Sequence, residues 1–220
     1  MMIHSIILAR GGSKGIKNKN LIIIKKKPLL YWSIIKSSNS KKIKYTWVSS
    51  DKKKILDFAK KNGAKTILRP KKYSTDSSTS ESAWKHAINF IVKKKYKIDL
   101  IVGIQPTSPI RDSIDFDNAI KYFLKKKLDS LFSATKIHDF FTWSIYKGNI
   151  KANYDYKKRL RRQKIKKNYL ENGSFYIFKK NYFLKYNNRL FGKIGAFIME
   201  KKKSFQIDDL IDVKIINSLI

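Results

Sequence analysis

The chain contains no cysteine and only three histidines among its 220 residues. Without cysteine it can form neither a disulfide framework nor a thiolate-ligated zinc or iron–sulfur site. The histidines, His4, His86 and His138, are scattered without the short spacings of metal-binding motifs. These absences exclude the disulfide-stabilised and cysteine-ligated classes of protein and leave no histidine motif for a metal.

Long apolar runs are missing as well. No stretch of the sequence approaches the roughly 20 apolar residues that a helix needs to span a bilayer. The early run Ile6, Ile7, Leu8 is short and is soon followed by Arg10, which is not the pattern of a secretory signal peptide. We therefore expect a cytoplasmic protein that has no membrane partner.

Acidic residues are scarce, since 16 Asp and Glu stand against 50 Lys and Arg, for a formal net charge of +34. Such a charge is found in proteins that bind nucleic acid. However, only seven of the basic residues are Arg, and the lysines are spread in short runs along the whole chain. We favour solvated lysine faces over a dedicated nucleic-acid surface, and the hydrophobic fraction of 42% is that of a folded protein.

Segments typical of strands alternate with segments typical of helices over the first 135 residues. The alternation predicts an α/β fold with three layers, in which helices cover both faces of a mainly parallel open sheet. Ligands of such sheets bind beyond the carboxyl ends of the strands, here the loops 9–20, 49–51, 69–80 and 105–112. The predicted strands are 3–8, 45–49, 65–68, 99–104 and 130–135, and the predicted helices are 28–38, 52–62, 78–94 and 113–127.

The regular pattern stops at about residue 136. Residues 136–170 are aromatic and basic without a clean period, which indicates a protruding arm or dimerisation insert within one domain of residues 1–220. Order returns afterwards, with strands predicted at 173–178 and 195–199 and helices at 180–186 and 209–219.

Residues 9–20 follow the first predicted strand and combine three glycines with Arg10, Ser13 and three lysines. Glycines allow successive backbone N–H groups to converge on an anion, and the cations neutralise several charges at once. The spacing is neither that of a Walker A loop nor that of a dinucleotide-binding fingerprint. A triphosphate site is the sharper interpretation, and a solvated glycine turn in a lysine-rich chain is the alternative.

The same segment resembles the signature of the acylneuraminate cytidylyltransferases, which are the CMP-sialic acid synthetases and their legionaminic and pseudaminic acid relatives. The resemblance continues in order along nearly the whole chain. It is carried by residues 9–20, 48–51, 68–70, 74–78, 105–111, 161–163, 169–176 and 207–208. The resemblance implies a nucleotide-diphospho-sugar transferase-like fold, a homodimer and transfer of CMP from CTP to the anomeric hydroxyl of a nonulosonic acid.

The resemblance also implies a role for each matching residue. The implied nucleotide-binding residues are Arg10, Gly12, Ser13, Lys19, Asn20, Arg69 and Ser78, with Arg69 on the cytosine edge. The implied sugar-binding residues are Ser80, Gln105, Asn172 and Arg162, the last acting across the dimer interface. Arg10, Lys19 and Asp208 would be catalytic, with Asp208 as the ligand of Mg²⁺, and Arg111 and Asp51 would support the site from behind.

Two positions depart from the family pattern. Gln206 stands where the family often has a second metal-binding carboxylate, so Asp209 or Asp212 is a candidate substitute. Leu170 stands where some members have an arginine for the sugar carboxylate. From the residues alone, Asp208 is also a candidate N-cap of the last helix.

Two other functions compete with this hypothesis. One is a cytidylyltransferase for another keto-sugar acid such as KDO, whose enzymes have a related fold but usually lack the ending Lys19-Asn20 in the first loop. The other is a basic nucleic-acid-binding module, supported by the net charge and by residues 157–167. The ordered motif series argues against a specific nucleic-acid partner.

Overall fold

A seven-stranded mixed sheet forms the centre of the molecule. A computed structural model describes residues 1–12, 15–137, 141–165 and 167–220. The strands of the sheet are β1 (Ile3–Leu8), β2 (Tyr45–Ser50), β3 (Lys65–Leu68), β4 (Leu100–Ile104), β5 (Ser130–Lys136), β6 (Tyr169–Lys179) and β7 (Ile194–Ile198). They lie in the order β7-β5-β6-β4-β1-β2-β3, and β6 runs antiparallel to both of its neighbours.

The central strands are apolar on both faces, as expected for strands covered by helices on each side. The helices are α1 (Leu29–Ser38), α2 (Lys53–Lys61), α3 (Ser80–Lys93), α4 (Ser113–Lys125), α5 (Lys180–Tyr186) and α6 (Leu210–Leu219). Ile7 of β1 belongs to a core with α1, α2 and α4, whereas Ile6 belongs to a core with α3 and α5. The three-layer prediction is therefore confirmed.

Side-chain caps fix where the helices next to the site begin. The hydroxyl of Thr79 accepts from the backbone N–H of Ser82, so α3 begins at Ser80 rather than at the predicted residue 78. Asp209 caps α6, because its carboxylate accepts from the N–H groups of Ile211 and Asp212. The alternative that Asp208 caps this helix is therefore wrong.

The predicted arm is partly an extension of the sheet. β5 continues to Lys136 and β6 begins at Tyr169, and these two residues are paired across the antiparallel ladder. β6 thus starts earlier than the predicted residue 173. Between the two strands, Trp143–Tyr146 and Asn149–Ala152 pair only with each other, as an exposed two-stranded hairpin. His138 lies outside the described residues.

A third, smaller apolar cluster joins the N-terminal loop to the C-terminal helix. Ile16 and Ile24 pack there with Ile207 and Ile216. In the part of the chain that the structure describes, no helix is long and apolar enough to cross a membrane.

Candidate active site

A cavity of about 510 Å³ opens at the carboxyl ends of the parallel strands. Its walls come from the loops after β1, β3 and β4 and from the segment before α6, which is the position expected for ligands of such sheets. The cavity brings together most of the residues that the sequence singled out: Arg10, Lys19, Asn20, Arg69, Ser78, Ser80, Gln105 and Asp208.

The first loop is anchored by polar contacts to its own backbone. The side-chain amide of Asn20 is buried and donates to the carbonyl of Arg10 at 2.8 Å. The N–H of Gly11 donates to Asp51 Oδ1 at 2.8 Å, which is the supporting role expected of Asp51. A Cβ at Gly12 would have no described protein atom within 4 Å, so this loop face is open to a ligand. Ser13 lies outside the described residues.

Two cations of the loop reach across the cavity. Arg10 Nη1 donates to the carbonyl of Thr75 at 3.0 Å and pairs with Asp76 Oδ1 at 2.9 Å. Lys19 Nζ donates to the carbonyl of Ile207 at 2.9 Å and to Asp208 Oδ1 at 3.1 Å. The two positive charges thus line one cavity, Arg10 against the loop before α3 and Lys19 against the segment before α6.

Arg69 is buried at the cavity wall without the hydrogen bonds that a buried guanidinium needs. Among the described residues, neither its Nε nor its Nη2 has a hydrogen-bond partner. Burial lowers the pKa of Arg69 to about 10, while Asp51 acts to raise it and Arg10 to lower it further. An unpaired buried charge is costly, so the arrangement indicates a ligand that accepts hydrogen bonds from Arg69.

The loop between β3 and α3 is shaped by its own hydroxyl groups. Ser78 Oγ donates to the carbonyl of Lys72 at 3.0 Å and accepts from the N–H of Thr75 at 3.1 Å. Ser78 lines the cavity, and its hydroxyl holds the loop. Ser80 lines the cavity from the first turn of α3. Sequence reasoning missed Tyr73, another lining residue, because an aromatic residue in a lysine-rich loop carries no motif.

Arg111 supports the site from behind. It is fully buried, and its Nη1 donates to the carbonyl of Ser174 at 2.9 Å while its Nη2 donates to the carbonyl of Gln105 at 2.8 Å. Burial lowers the pKa of Arg111 to about 9, and nearby Asp115 acts in the opposite direction. Because the guanidinium ties the end of β4 to β6, it fixes where Gln105 enters the cavity.

Replacing Arg111 by Met should destabilise the protein strongly. The change removes the arginine donor from the carbonyl of Gln105 and from the buried hydroxyl of Ser33, at about 1–3 kcal/mol for each unsatisfied group, and it leaves the carbonyl of Ser174 only the N–H of Gln105. We expect the free energy of unfolding in urea to fall by about 3 kcal/mol or more. The exposed Arg159, whose guanidinium lies over the ring of Phe141, is the matched control, and Arg159→Met should lower the free energy of unfolding by no more than about 1 kcal/mol. Equal stability of the two variants would contradict the supporting role.

Asn172 lies behind the cavity rather than in its wall. Its Oδ1 accepts from Ser133 Oγ at 2.6 Å, and its Nδ2 donates to Ser204 Oγ at 3.0 Å. Both ends of the buried amide are bonded inside the protein, and direct sugar binding by this side chain stays a prediction. Gln206 Nε2 donates to the backbone carbonyl of Asn172 at 2.6 Å. Leu170 is exposed, and the side chain of Arg162 lies outside what the structure describes.

Asp208 is the candidate magnesium ligand. Its side chain is 77% exposed at the cavity and faces Lys19, which is 14% exposed. Asp209 and Asp212, the candidate substitutes for Gln206, instead form the capping box of α6, and Asp212 Oδ2 accepts from the N–H groups of Asp208 and Asp209. These hydrogen bonds, led by that from Asp209, lower the pKa of Asp212.

No group of three or more Asp, Glu or His side chains forms a ready metal site in the described residues. Magnesium is usually held by one or two carboxylates together with substrate phosphates and water, and Asp208 at the cavity fits that donor set. The arrangement therefore suits a substrate that brings its own phosphate oxygens. The cavity can neutralise a phosphate chain with Arg10 and Lys19 and bind a polar edge with Arg69.

Solved structures share this architecture at low sequence identity. The structure of a CMP:2-keto-3-deoxy-manno-octonic acid synthetase complexed with CTP superposes with a TM-score of 0.72 at 13% identity, covering 100% of this chain and 98% of that one. A 4-diphosphocytidyl-2C-methyl-D-erythritol synthase superposes with a TM-score of 0.73 at 10% identity, with coverage of 99% and 98%. These likenesses confirm the nucleotide-diphospho-sugar transferase-like fold.

Several proteins are similar in sequence. The post-translational flagellin modification protein B of Campylobacter coli is 30% identical, with 97% of this chain and 93% of the relative covered. The CMP-N,N'-diacetyllegionaminic acid synthase of Campylobacter jejuni is 31% identical, with the same coverage. The N-acylneuraminate cytidylyltransferase of Escherichia coli is 31% identical over 97% of this chain, which spans about half (51%) of that relative.

The family model described as cytidylyltransferase matches residues 4–219. The match covers every loop that lines the cavity, from Arg10 to Asp208. The chain therefore belongs to the cytidylyltransferase family of nucleotidyltransferases.

Proposed function

We propose that the protein transfers CMP from CTP to the anomeric hydroxyl of a sialic-acid-type nonulosonic acid and releases pyrophosphate. The observation that carries the proposal is the buried guanidinium of Arg69, whose Nε and Nη2 have no hydrogen-bond partner among the described residues, in the same cavity as Arg10 and Lys19. Arg69 supplies donors for the O2 and N3 acceptors of cytosine, and the other two cations balance a triphosphate. The names of the Campylobacter jejuni and Escherichia coli relatives support a nonulosonic acid as the acceptor.

The proposed reaction forms a bond between the anomeric oxygen and the α-phosphorus, and it breaks the bond from that phosphorus to the oxygen bridging to the β-phosphorus. The hydroxyl proton leaves to solvent, and pyrophosphate is the leaving group. Arg10 and Lys19 orient the phosphate chain and offset the charge that develops on it. The chain has no cysteine nucleophile, and the proposed displacement needs no covalent intermediate.

Asp208 is proposed to hold magnesium together with the phosphate oxygens. When bound, the metal supplies charge neutralisation at phosphate oxygens and lowers the pKa of a nearby hydroxyl. Lys19 holds the carboxylate of Asp208 at the cavity, and α6 fixes the backbone of the same residue.

On the acceptor side of the cavity, Ser80 and Gln105 are the described residues proposed to contact the sugar. Gln105 Oε1 lies 3.4 Å from where a Cβ of Gly173 would be, so its side chain rests against β6. The KDO alternative gains nothing from the superposition, because likeness at 13% identity reports the fold alone. No specific nucleic-acid partner is proposed, since the cavity and the family account for the ordered series of motifs better than a basic surface does.

An assay of pyrophosphate release tests the function. The purified protein is supplied with magnesium, each of the four nucleoside triphosphates and a panel of acids that includes several nonulosonic acids and KDO. We expect release with CTP and at least one nonulosonic acid, and release at background level with KDO or with the other triphosphates. Absence of release with every acid, combined with tight, salt-dependent DNA binding, would favour the nucleic-acid module instead.

The protein is also proposed to work as a cytoplasmic homodimer held by the hairpin of residues 143–152, with Arg162 reaching the partner's site. The hairpin pairs Ile145 with Ile150, and these side chains are 74% and 65% exposed. A lone two-stranded hairpin is marginally stable in water, and a cluster of exposed apolar side chains marks an interaction surface. A second copy of the chain would cover the side chains of Ile145 and Ile150 and support the hairpin.

Replacing Ile145 by Asp should convert the dimer to a monomer, because a charge would be buried without a partner in the interface. Light scattering after gel filtration should give a mass of about twice 25.8 kDa for the parent and of 25.8 kDa for the variant. Ile114 at the start of α4 is 54% exposed, and Ile114→Asp is the control that should remain a dimer. A parent chain that is monomeric at all concentrations would end this proposal.

A further inference from the structure

Residues 9–20 form the nucleotide loop, and the segment of residues 206–212 is attached to it by more than the ion pair between Lys19 and Asp208. Ile207 is fully buried in the small cluster that also contains Ile16, from the loop itself, and Ile216, from α6. This cluster is separate from the two cores that sandwich the sheet. It therefore holds one cavity wall to another independently of the central packing.

The backbone of Ile207 is held on two sides. Its carbonyl accepts from Lys19 Nζ at 2.9 Å, and its N–H donates to the carbonyl of Thr107 at 2.9 Å. Lys19 belongs to the loop after β1, and Thr107 belongs to the loop after β4. The residue next to Asp208 is thus fixed to both loops that flank the phosphate side of the cavity.

Gly15 sets how closely the segment approaches the loop. A Cβ on Gly15 would lie 2.6 Å from the backbone oxygen of Asp208, a distance that real side chains do not tolerate. The obstructing atom is backbone, so a side chain at residue 15 must displace the segment or the loop. Gly12, in the same loop, differs because a Cβ there would meet no described protein atom within 4 Å.

We propose that Gly15 is a positioning residue that determines how closely Asp208 approaches the nucleotide loop. The packing of Ile16, Ile207 and Ile216 holds the segment at that distance. This inference rests on the proposed function for the role of Asp208. Because glycine has no Cβ, Gly15 allows the carboxylate of Asp208 to come within reach of the phosphate oxygens. Gly12, by contrast, leaves space for the ligand itself.

Alanine substitutions at the two glycines separate these roles. Three quantities are measured for each variant: affinity for CTP in EDTA by calorimetry, affinity for Mn²⁺ in the presence of CTP by electron paramagnetic resonance, and amide hydrogen exchange in α6. For Gly15→Ala we expect CTP affinity in EDTA within about threefold of the parent, Mn²⁺ affinity about tenfold weaker and faster exchange in α6. For Gly12→Ala we expect weaker CTP binding in EDTA and parental exchange in α6.

A second variant keeps the test decisive if Gly15→Ala folds poorly. Ile216→Ala removes a buried side chain of the cluster without changing any residue of the nucleotide loop, and it should reproduce the weaker Mn²⁺ affinity and faster exchange in α6. Parental Mn²⁺ affinity and exchange in Gly15→Ala, or CTP binding in EDTA as weak as in Gly12→Ala, would overturn the inference. If the parent itself binds no Mn²⁺ with CTP, the metal role of Asp208 fails, whereas faster exchange in Gly15→Ala still supports its packing role.

Discussion

Asp208→Ala should reduce magnesium-dependent pyrophosphate release by about a thousandfold or more, as expected from losing several kcal/mol of charge stabilisation. The carboxylate has no ready substitute among the described residues. Asp76, which also lines the cavity, is paired with Arg10, and Asp209 and Asp212 are engaged in the capping box of α6. Gln206, at the position where the family often has a carboxylate, donates to the backbone of Asn172 instead.

The control for this variant is Asp209→Asn, one residue further on. Asn is as good an N-cap as Asp, so α6 should keep its start and the protein its activity. Turnover and its dependence on magnesium concentration are measured for both variants. Near-normal turnover in Asp208→Ala would remove Asp208 from the catalytic site and leave the metal to the phosphates alone.

Arg69→Met should make the protein more stable and much less able to use CTP. Burial lowers the pKa of Arg69 to about 10, well below its ordinary value, so the folded state disfavours the charged form. The resulting penalty is fully present at neutral pH and would be relieved only as pH rises through about 10 toward the pKa of the unfolded chain. Removing the charge at pH 7 should therefore raise the free energy of unfolding by about 1 kcal/mol or more.

The same substitution should make the protein a poorer enzyme for CTP, although it raises stability. Two lost charge-assisted hydrogen bonds to the base, at about 1.5–3 kcal/mol each, should lower kcat/KM for CTP by at least about 100-fold. For the other nucleoside triphosphates kcat/KM should fall far less, so the preference for CTP should also fall. The free energy of unfolding is measured by urea denaturation, and kcat/KM is measured from pyrophosphate release with each nucleotide.

Arg189→Met is the matched comparison. Arg189 already has a partner, since its Nε donates to Glu81 at 2.6 Å and its guanidinium lies over the rings of Trp84 and Tyr176. Loss of those contacts should lower stability and leave the preference for CTP intact. An Arg69→Met protein that is less stable and still selects CTP would contradict the base-binding role.

The sequence predicted the layers of the fold because they depend on local patterns. Apolar runs such as that of β1 and helical spacing such as that of α3 are properties of consecutive residues, and their alternation determines the architecture. The place of β6 between β4 and β5 could not be predicted in the same way. That place depends on pairing between segments far apart in the chain, such as Phe175 with Ile104.

The candidate site shows the same division. Loops at strand ends could be identified from the sequence, and the cavity does lie among them. Burial could not be identified from the sequence: nothing local to Asn172 indicates that both ends of its amide are bonded inside the protein, behind the cavity. The contact between Gly15 and Asp208 joins opposite ends of the chain and leaves no local pattern.

The antiparallel direction of β6 has a consequence for the proposed dimer. β5 runs parallel to β7 and antiparallel to β6, which in turn is antiparallel to β4, so β5 ends and β6 begins at the edge of the sheet that holds the cavity. Residues 136 and 169 therefore lie at the same edge of the sheet as the cavity. Because Arg162 is proposed to reach the substrate of the partner's site, dimerisation adds a contact to bound substrate, and linkage then requires substrate binding to strengthen the dimer equally. Specific activity should fall when the protein is diluted below the dissociation constant of the dimer, and saturating substrate should shift that concentration downward.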